Sequence, residues 1–340
     1  MERPLARRLV AILEGDDARR HARDRARDVE SIRERDGERG PGRWERWRAF
    51  APSTLARALR LPATCRVIGV GGATLGGSGR TPVALAIVEA LVARGHSVAL
   101  VGHAYGARPR RPRVVRAGDA LDEVGDEAAI AAEVLATRAP VVVAPDRQSA
   151  LDLAAGLASI VVFDRLSQAR PDRLHAGVLA LDHAAPWGSG RLFPLGDLGH
   201  PRAHLREAAD LVVTVDGDEA PTALWLEDGG GRRPVDELSH LAFGLVTSAA
   251  RPERIVRRLA VAGACPRVHV ERGDHRPLGA AERARLDRLG ARAGIVEWVL
   301  DAKTAVRLTS GPPLALPWSR LAHRVTLGAR LVDRLEVRCR

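Results

Sequence analysis

A glycine-rich segment at residues 71–81 constrains the fold of this 340-residue chain more than any other feature. It follows a short apolar run at 67–70 and precedes a helix-like stretch at 82–93. Glycines let backbone N–H groups converge on phosphate oxygens, and the N-terminal end of a helix dipole attracts the same anion. The order of strand, glycine loop and helix therefore predicts a phosphate-binding turn in an α/β protein.

The residues expected to bind the phosphates of a nucleotide lie together in the second half of this segment: Gly76, Gly77, Ser78, Gly79, Arg80 and Thr81. Thr81 stands where a P-loop places its Mg²⁺-binding hydroxyl, whereas Arg80 occupies the position of the P-loop lysine. Thr74 stands where the first glycine of that motif is usual. The match to the motif is therefore partial, and the flanking strand and helix strengthen the prediction.

From residue 66 onward, short apolar runs alternate with helix-like segments. The runs lie at 67–70, 97–101, 141–144, 160–163, 178–181 and 211–215, and the helical segments at 82–93, 126–136 and 149–155. Because the runs are continuously apolar, they predict strands of a parallel sheet that is covered on both faces. A second αβ pattern begins near residue 241. We therefore expect an α/β fold with a P-loop NTPase-like parallel sheet, helices on both faces, and a smaller C-terminal α/β lobe.

The first 48 residues differ from the rest because acidic and arginine side chains are densely mixed there. Opposite charges three and four residues apart support a solvated helix. Together with the alternating pattern, this predicts three parts. They are a charged helical arm over 1–60, a nucleotide-binding lobe over 61–205 and a C-terminal α/β lobe over 206–340.

The composition limits the possible partners. The net charge is +11, and Lys303 is the only lysine, so nearly every basic residue is arginine. A basic surface attracts phosphate groups, although an overall arginine bias in the composition accounts for the charge equally well. No usual nucleic-acid motif is visible and aromatic residues are few, so no nucleic-acid partner is expected.

The lack of a visible targeting signal and the spacing of the cysteines indicate a cytoplasmic protein. No apolar run approaches the ~18 residues that span a bilayer, and no signal-peptide pattern opens the chain. The three cysteines, Cys65, Cys265 and Cys339, are widely separated and lack metal-ligand spacing. We therefore expect a reducing compartment and no zinc site.

Three carboxylates and one histidine outside the loop are further candidates for chemistry. Asp164 ends an apolar run, where P-loop enzymes place an acid that organises Mg²⁺. Asp126 and Glu127 open a helix, and helix capping is the default interpretation of that pair. His275 follows Asp274 in a loop, and an Asp–His pair formed across two lobes could act as a general base on a substrate hydroxyl.

These motifs resemble, in order and spacing, the tetraacyldisaccharide 4′-kinases of lipid A biosynthesis over residues 64–308. The family's loop, Val-Gly-Asn-x-x-x-Gly-Gly-x-Gly-Lys-Thr, is similar to 70–81, with Gly72 for Asn and Arg80 for Lys. The family's Gly-Asp-Glu is intact at 125–127. Shorter fragments match at 102–106, 193–201, 242–244, 251–254, 274–275 and around Lys303.

The resemblance implies a two-lobed P-loop kinase at the cytoplasmic face of the inner membrane, which would be a peripheral partner. Such an enzyme transfers the γ-phosphoryl group of ATP to the 4′ hydroxyl of a lipid disaccharide, with Mg²⁺. By this analogy Asp126 is the base or its close neighbour, and His275 tunes it from the other lobe. The resemblance further implies that Thr81 binds the Mg²⁺ ion and that Glu127 supports it, in addition to Asp164.

Departures from the family pattern leave other hypotheses open. Arg80 keeps a positive charge facing the β- and γ-phosphates, but a planar guanidinium is bulkier than an ammonium. The family's Asp-Asp-Gly-Phe-Gln-His corresponds to 163–168, where only Asp164 is in place and Phe163 precedes it. The family's Arg-Glu before Pro201 is replaced by Gly199-His200. One alternative is a catalytically impaired paralogue that binds nucleotide or lipid headgroup without turnover. Another is a different P-loop protein that binds nucleic acid. The sequence sets no oligomeric state.

Overall fold

The computed structural model describes residues 58–102, 104, 106–165, 170–171, 174–193, 195–207, 209–272, 278–308 and 313–339. The charged arm predicted over 1–60 lies outside these ranges except for its last three residues. Within the described ranges, no helix is both long enough and apolar enough to cross a bilayer.

A seven-stranded sheet, in the spatial order β4-β5-β3-β6-β2-β8-β9, organises the first part of the chain. Its strands are β2 (Arg66–Gly72), β3 (Val98–Val101), β4 (Arg113–Val114), β5 (Val141–Val143), β6 (Ile160–Asp164), β8 (Ala176–Asp182) and β9 (Leu211–Val215). All neighbours are parallel except β4 and β5. A separate ladder pairs β1 (Ala58–Leu59) with β7 (Arg170–Pro171).

Helices cover both faces of this sheet. They are α1 (Arg80–Ala93), α2 (Leu121–Val124), α3 (Asp126–Leu135), α4 (Arg147–Ala155) and α5 (Arg202–Glu207). Side chains alternate between the two faces along a strand, so neighbouring Val67 and Ile68 enter different cores. Ile68 packs in the cluster that contains Ile87 of α1, and Val67 packs in the cluster that contains Leu151 of α4. The α/β fold class predicted from the sequence is confirmed.

A six-stranded mixed sheet, in the order β11-β10-β15-β14-β12-β13, forms the second part. Its strands are β10 (Thr222–Asp228), β11 (Gly231–Pro234), β12 (Phe243–Thr247), β13 (Val268–Glu271), β14 (Glu297–Asp301) and β15 (Trp318–Val325). A 3-10 helix (Val235–His240) and helices α6 (Pro252–Val261), α7 (Ala280–Ala293) and α8 (Ala302–Leu308) accompany it. The parallel strands β12, β13 and β14 fall where the αβ pattern predicts them.

The antiparallel side of the second sheet has no counterpart in the sequence prediction. The glycine-rich break at 228–231 is the turn of a hairpin, in which Asp228 pairs with Gly231 at a φ of 122°. Strand β10 buries only Leu226 fully, so it carries no apolar run that would identify it. β10 also pairs antiparallel with β15 and thereby extends the sheet.

The last helix, α9 (Ala329–Cys339), packs on the first sheet although it follows the second. Leu331, Val332 and Leu335 join the same core cluster as Leu91 of α1. Glu336 accepts hydrogen bonds from Arg94 at 2.5 Å and lies 2.6 Å from His96 Nε2. The chain therefore returns to its first core at its end. The division into lobes at 61–205 and 206–340 stays a prediction.

Leu335→Ala is expected to destabilise the protein by about 2–5 kcal/mol, because it empties a fully buried position where α9 packs on α1. Thermal or urea unfolding measures the loss. Val337→Ala on the same helix is the control, since Val337 is 67% exposed and its truncation removes little packing. Equal effects of the two substitutions would contradict the placement of α9.

Candidate active site

The predicted phosphate loop joins the last residue of β2, Gly72, to the first residue of α1, Arg80. Gly77 and Gly79 have φ angles of 70° and 80°, a region where other residues are strained. Gly79 is the N-cap of α1. No side chain caps this helix and no acidic residue lies in its first turn. The N–H groups at its start are therefore oriented for an anion.

The outer side of this loop is held by the neighbouring segment at 186–201. The Leu75 N–H donates to the Asp197 carbonyl oxygen at 2.8 Å, and the Gly199 N–H donates to the Ala73 carbonyl oxygen at 3.0 Å. Thr74, which replaces the usual first glycine, donates its hydroxyl to the Gly76 carbonyl oxygen at 2.7 Å. The loop is thus shaped from within and from one side.

Arg80 lies folded into the loop and is only 7% exposed. Its Nη2 donates to the Leu75 carbonyl oxygen at 3.3 Å. Burial lowers the pKa of Arg80, and the positive charge of Arg165 lowers it further. The attraction of Asp164 and Glu127 acts in the opposite direction. The guanidinium therefore already occupies part of the space beside the loop carbonyls.

Gly72 provides the room for this arginine. A Cβ atom at position 72 would lie 2.7 Å from both Cγ and Cδ of Arg80, and 2.0 Å from the Ser78 hydroxyl oxygen. The φ of Gly72 is not positive, so space rather than backbone conformation favours glycine here. The two departures from the family's loop pattern, at 72 and 80, are therefore in direct contact.

Thr81 and Asp164 meet at the carboxyl ends of β2 and β6. The two strands pair in parallel with Val70 opposite Asp164. The Thr81 hydroxyl donates to Asp164 Oδ2 at 2.7 Å, and Oδ1 is buried without a hydrogen-bond partner. Burial raises the pKa of Asp164, and nearby Glu127 raises it further, against Arg80 and the Thr81 hydrogen bond. The hydroxyl and carboxylate predicted separately thus form one unit.

The Gly-Asp-Glu segment begins α3 and faces helix α8 of the second sheet. Lys303 Nζ lies 2.9 Å from Glu127 Oε1, and Arg307 Nη2 donates to Asp126 Oδ2 at 3.1 Å. Burial would raise the pKa of Glu127, but the attraction of Lys303, then Arg165 and Arg80, holds it below its usual value. Asp126 and Glu127 therefore act as ion-pair partners across the two sheets, beyond the capping role that is the default for such a pair.

A second contact between the sheets covers the phosphate loop. Arg251 packs its stem against Gly77, where a Cβ atom would lie 2.5 Å from its Cγ, and it pairs with Asp197 at 2.5 Å. Arg254, one turn later at the start of α6, donates to the Gly77 carbonyl oxygen at 3.4 Å. Its Nε lies 3.2 Å from Asp182 Oδ2. Two arginines of the second sheet therefore fix the loop.

The oxygen atoms near Thr81 suit a magnesium ion. Asp164 Oδ1 and Glu127 Oε2 are buried atoms without a hydrogen-bond partner in the described part of the chain. Mg²⁺ prefers carboxylate and hydroxyl oxygens, usually few of them together with phosphate oxygens and waters. No group of three or more His, Cys, Asp or Glu side chains within the described ranges has the arrangement of a metal site. The residues present thus fit a nucleotide-borne Mg²⁺ better than an all-protein metal cage.

Two of the contributing arginines were missed as site residues, and one predicted residue is not described. Arg307 and Arg254 reach the site from the second sheet. Their signal in the sequence is weak: Arg307 follows Lys303 by four residues, the spacing that places both on one helix face. His275 lies in 273–277, outside the described residues, so its pairing with Asp126 stays a prediction.

A parallel sheet that ends in an uncapped glycine loop, with carboxylates beside it and a second α/β lobe over it, defines the P-loop kinase class. The profile of the family described as tetraacyldisaccharide-1-P 4′-kinase matches residues 45–340. The chain belongs to this family, whose members are phosphotransferases of lipid A biosynthesis. The resemblance drawn from the sequence is confirmed.

Relatives and a solved structure agree with this assignment. The tetraacyldisaccharide 4′-kinase of Anaeromyxobacter dehalogenans is 32% identical over 335 residues, covering 85% of this chain and 86% of that one. The enzyme of Methylobacterium nodulans is 32% identical, with 77% and 81% covered. The crystal structure of the "apo" form of LpxK from Aquifex aeolicus in complex with ATP has a TM-score of 0.63. The match covers 87% of this chain and 95% of the Aquifex chain at 18% sequence identity, and it therefore supports the fold.

Asp164→Asn is expected to raise the thermal midpoint of the nucleotide-free protein at neutral pH by about 2–4 °C, because it removes a buried charge while keeping the shape. The raised pKa sets the pH dependence. Wild type and variant match below the ordinary aspartate pKa of about 3.9, where Asp164 is protonated both folded and unfolded. The wild type then loses stability relative to the variant as the pH rises through the raised pKa.

Thermal scans from pH 3 to pH 8 measure this difference. Asp218→Asn is the matched control, since Asp218 is exposed in the loop after β9. A variant that is less stable than the wild type at neutral pH would contradict the inference that burial of the Asp164 carboxylate outweighs its attraction to Arg80 and its hydrogen bond from Thr81.

Proposed function

We propose that the chain is a kinase that transfers the γ-phosphoryl group of ATP to the 4′ hydroxyl of the lipid A disaccharide precursor. The observation that carries the proposal is the grouping of Thr81, Asp164 and Glu127 beside the uncapped start of α1. Membership of the kinase family supports the choice of substrate. The proposed setting is the cytoplasm, peripheral to the inner membrane that holds such a lipid.

The phosphate loop is proposed to bind the triphosphate. The N–H groups over 76–81 converge on the phosphate oxygens, as the positive φ angles of Gly77 and Gly79 allow. Arg80 supplies the positive charge that a lysine supplies in the family's loop. To reach a phosphate oxygen, the guanidinium would break its hydrogen bond to the Leu75 carbonyl oxygen and donate to the anion instead.

Mg²⁺ is the proposed second cofactor, and when bound it would neutralise charge on the transferred group. Thr81, Asp164 and Glu127 are the residues that would hold it. Asp164 is oriented by its hydrogen bond from Thr81, and Glu127 by its ion pair with Lys303. Each carboxylate thereby keeps one buried oxygen atom without a hydrogen-bond partner among the described residues, and the two carboxylates are close enough to interact electrostatically.

Asp126 is proposed to accept the proton of the 4′ hydroxyl, or to lie beside the group that does, and His275 is proposed to tune it. Asp126 is 1% exposed, and Arg307 holds one of its oxygen atoms at 3.1 Å. The Glu127 N–H donates to its other oxygen at 2.8 Å, which fixes the plane of the carboxylate. His275 follows strand β13 in the chain and would approach from the second lobe. Positioning of this kind is the main contribution that proteins make to phosphoryl transfer.

Arg80→Ala is expected to lower kcat about 10²–10³-fold, because it removes a charge beside the phosphates. Arg80→Lys is expected to stay within about tenfold of the wild type, since it keeps the charge. Transfer of labelled phosphate from ATP·Mg²⁺ to the tetraacyldisaccharide 1-phosphate measures turnover, and calorimetry measures ATP binding.

The wild-type protein decides between the proposal and its alternative in this assay. Turnover by the unaltered chain supports the kinase. ATP binding without turnover, with transfer appearing only in Arg80→Lys, would identify a catalytically impaired relative instead. Absence of both binding and turnover in every variant would refute the nucleotide site itself.

Arg254→Ala is expected to raise KM for ATP and lower kcat, together about 10-fold or more in kcat/KM, because the Gly77 carbonyl loses the cation that holds the loop. The control is Arg257→Ala on the same helix, where the arginine is exposed. Steady-state kinetics separate the two constants. If Arg254→Ala behaves like the control, the contact between α6 and the loop has no catalytic role.

A further inference from the structure

The single lysine of the chain lies in the candidate active site. Of the 53 lysines and arginines, 52 are arginine, and the exception is Lys303 on α8. Arginine even occupies position 80, where the family's loop has lysine. A composition that uses arginine almost everywhere calls for a physical reason why one position has lysine.

The geometry at Lys303 supplies such a reason. Nζ lies 2.9 Å from Glu127 Oε1, and both side chains are mostly buried. Glu127 Oε2 is buried and has no hydrogen-bond partner in the described part of the chain. One turn later Arg307 contacts Asp126. The same helix therefore uses a guanidinium for one carboxylate and an ammonium for its neighbour.

Ammonium and guanidinium groups differ in how many carboxylate oxygens they engage. An ammonium is a compact point charge, and here it contacts one oxygen atom of Glu127. A guanidinium is a planar fork that commonly donates to both oxygens of a carboxylate at once. Arginine at position 303 would therefore compete for Oε2, which a lysine leaves available to another cation.

We propose that Lys303 is a positioning residue that holds Glu127 through one oxygen atom and leaves the other for the divalent cation of the nucleotide. The inference rests on the proposed function for the identity of that nucleotide. The inference goes beyond the proposed function because it assigns a role to the shape of the ammonium group at position 303 as well as to its charge.

Lys303→Arg separates these two roles because it keeps the charge and changes the shape. The test measures Mn²⁺ binding to the full chain by electron paramagnetic resonance, with and without ATP. We expect the dissociation constant for Mn²⁺ to rise about 10-fold or more in Lys303→Arg, as is typical when the partner of a metal ligand is altered. A role in charge alone predicts an unchanged constant, and that result would overturn the inference.

Further variants and conditions distinguish the possible failures. Thermal midpoints in EDTA check that Lys303→Arg is folded. Should it be too unstable to purify, Glu127→Gln replaces it, because the amide keeps the size but removes the charge of the oxygen offered to the cation. The same rise in the Mn²⁺ constant is then expected, and an unchanged constant would overturn the inference.

Arg307→Lys makes the opposite exchange on the same helix. It is expected to leave the Mn²⁺ constant within about threefold of the wild type, because Asp126 is not assigned to the cation. A rise equal to that of Lys303→Arg would attribute the effect to any disturbance of α8 and overturn the inference. If the protein binds no ATP but its Mn²⁺ constant still rises in Lys303→Arg, the proposed function is refuted, whereas the positioning of Glu127 by Lys303 is supported.

Discussion

The site depends on the neutralisation of buried carboxylates in one lobe by cations from the other. Asp126 and Glu127 lie at the start of α3 in the first lobe, and Lys303 and Arg307 of α8 come from the second. Removing one partner of a buried ion pair typically costs about 3–5 kcal/mol, because the remaining charge has lost its water. The carboxylates at the start of α3 are therefore stable only when the second sheet is in place.

The position of α8 is fixed in turn by a buried polar network at its start. Asp301, the last residue of β14, accepts hydrogen bonds from the N–H groups of Thr304 and Ser248, each at 2.8 Å. The hydroxyls of Ser248 and Thr304 lie 2.9 Å apart. Burial raises the pKa of Asp301, against these hydrogen bonds. The side chain thus caps α8 and joins it to the end of β12, which sets the direction in which Lys303 and Arg307 extend.

Local sequence predicted the parts of this arrangement that arise from local physics. Continuous apolar runs identified the parallel strands, and the loop at 71–81 identified the start of α1, because these signals need no distant partner. Strand β10 was missed because only Leu226 is fully buried in it and the glycine turn that follows it resembles a break. Arg254 and Arg307 were missed as site residues because each contacts a residue that is distant in the sequence. The separation is 177 residues for Arg254 and Gly77, and 181 residues for Arg307 and Asp126. Among so many arginines, composition distinguishes none of them.

Arginine at position 80 shows how a departure from a family pattern can be accommodated within one site. The longer, planar head group needs space that a side chain at 72 would occupy, and Gly72 leaves that space open. Its burial is opposed, in part, by attraction to Asp164 and Glu127, the two carboxylates beside the candidate metal position. Charge at the phosphate loop and charge at the metal position therefore stabilise each other. An uncharged residue at 80 would leave these carboxylates with less compensation as well as the phosphates with one cation fewer. The cation at position 80 thus serves both the stability of the folded site and the binding of the anion.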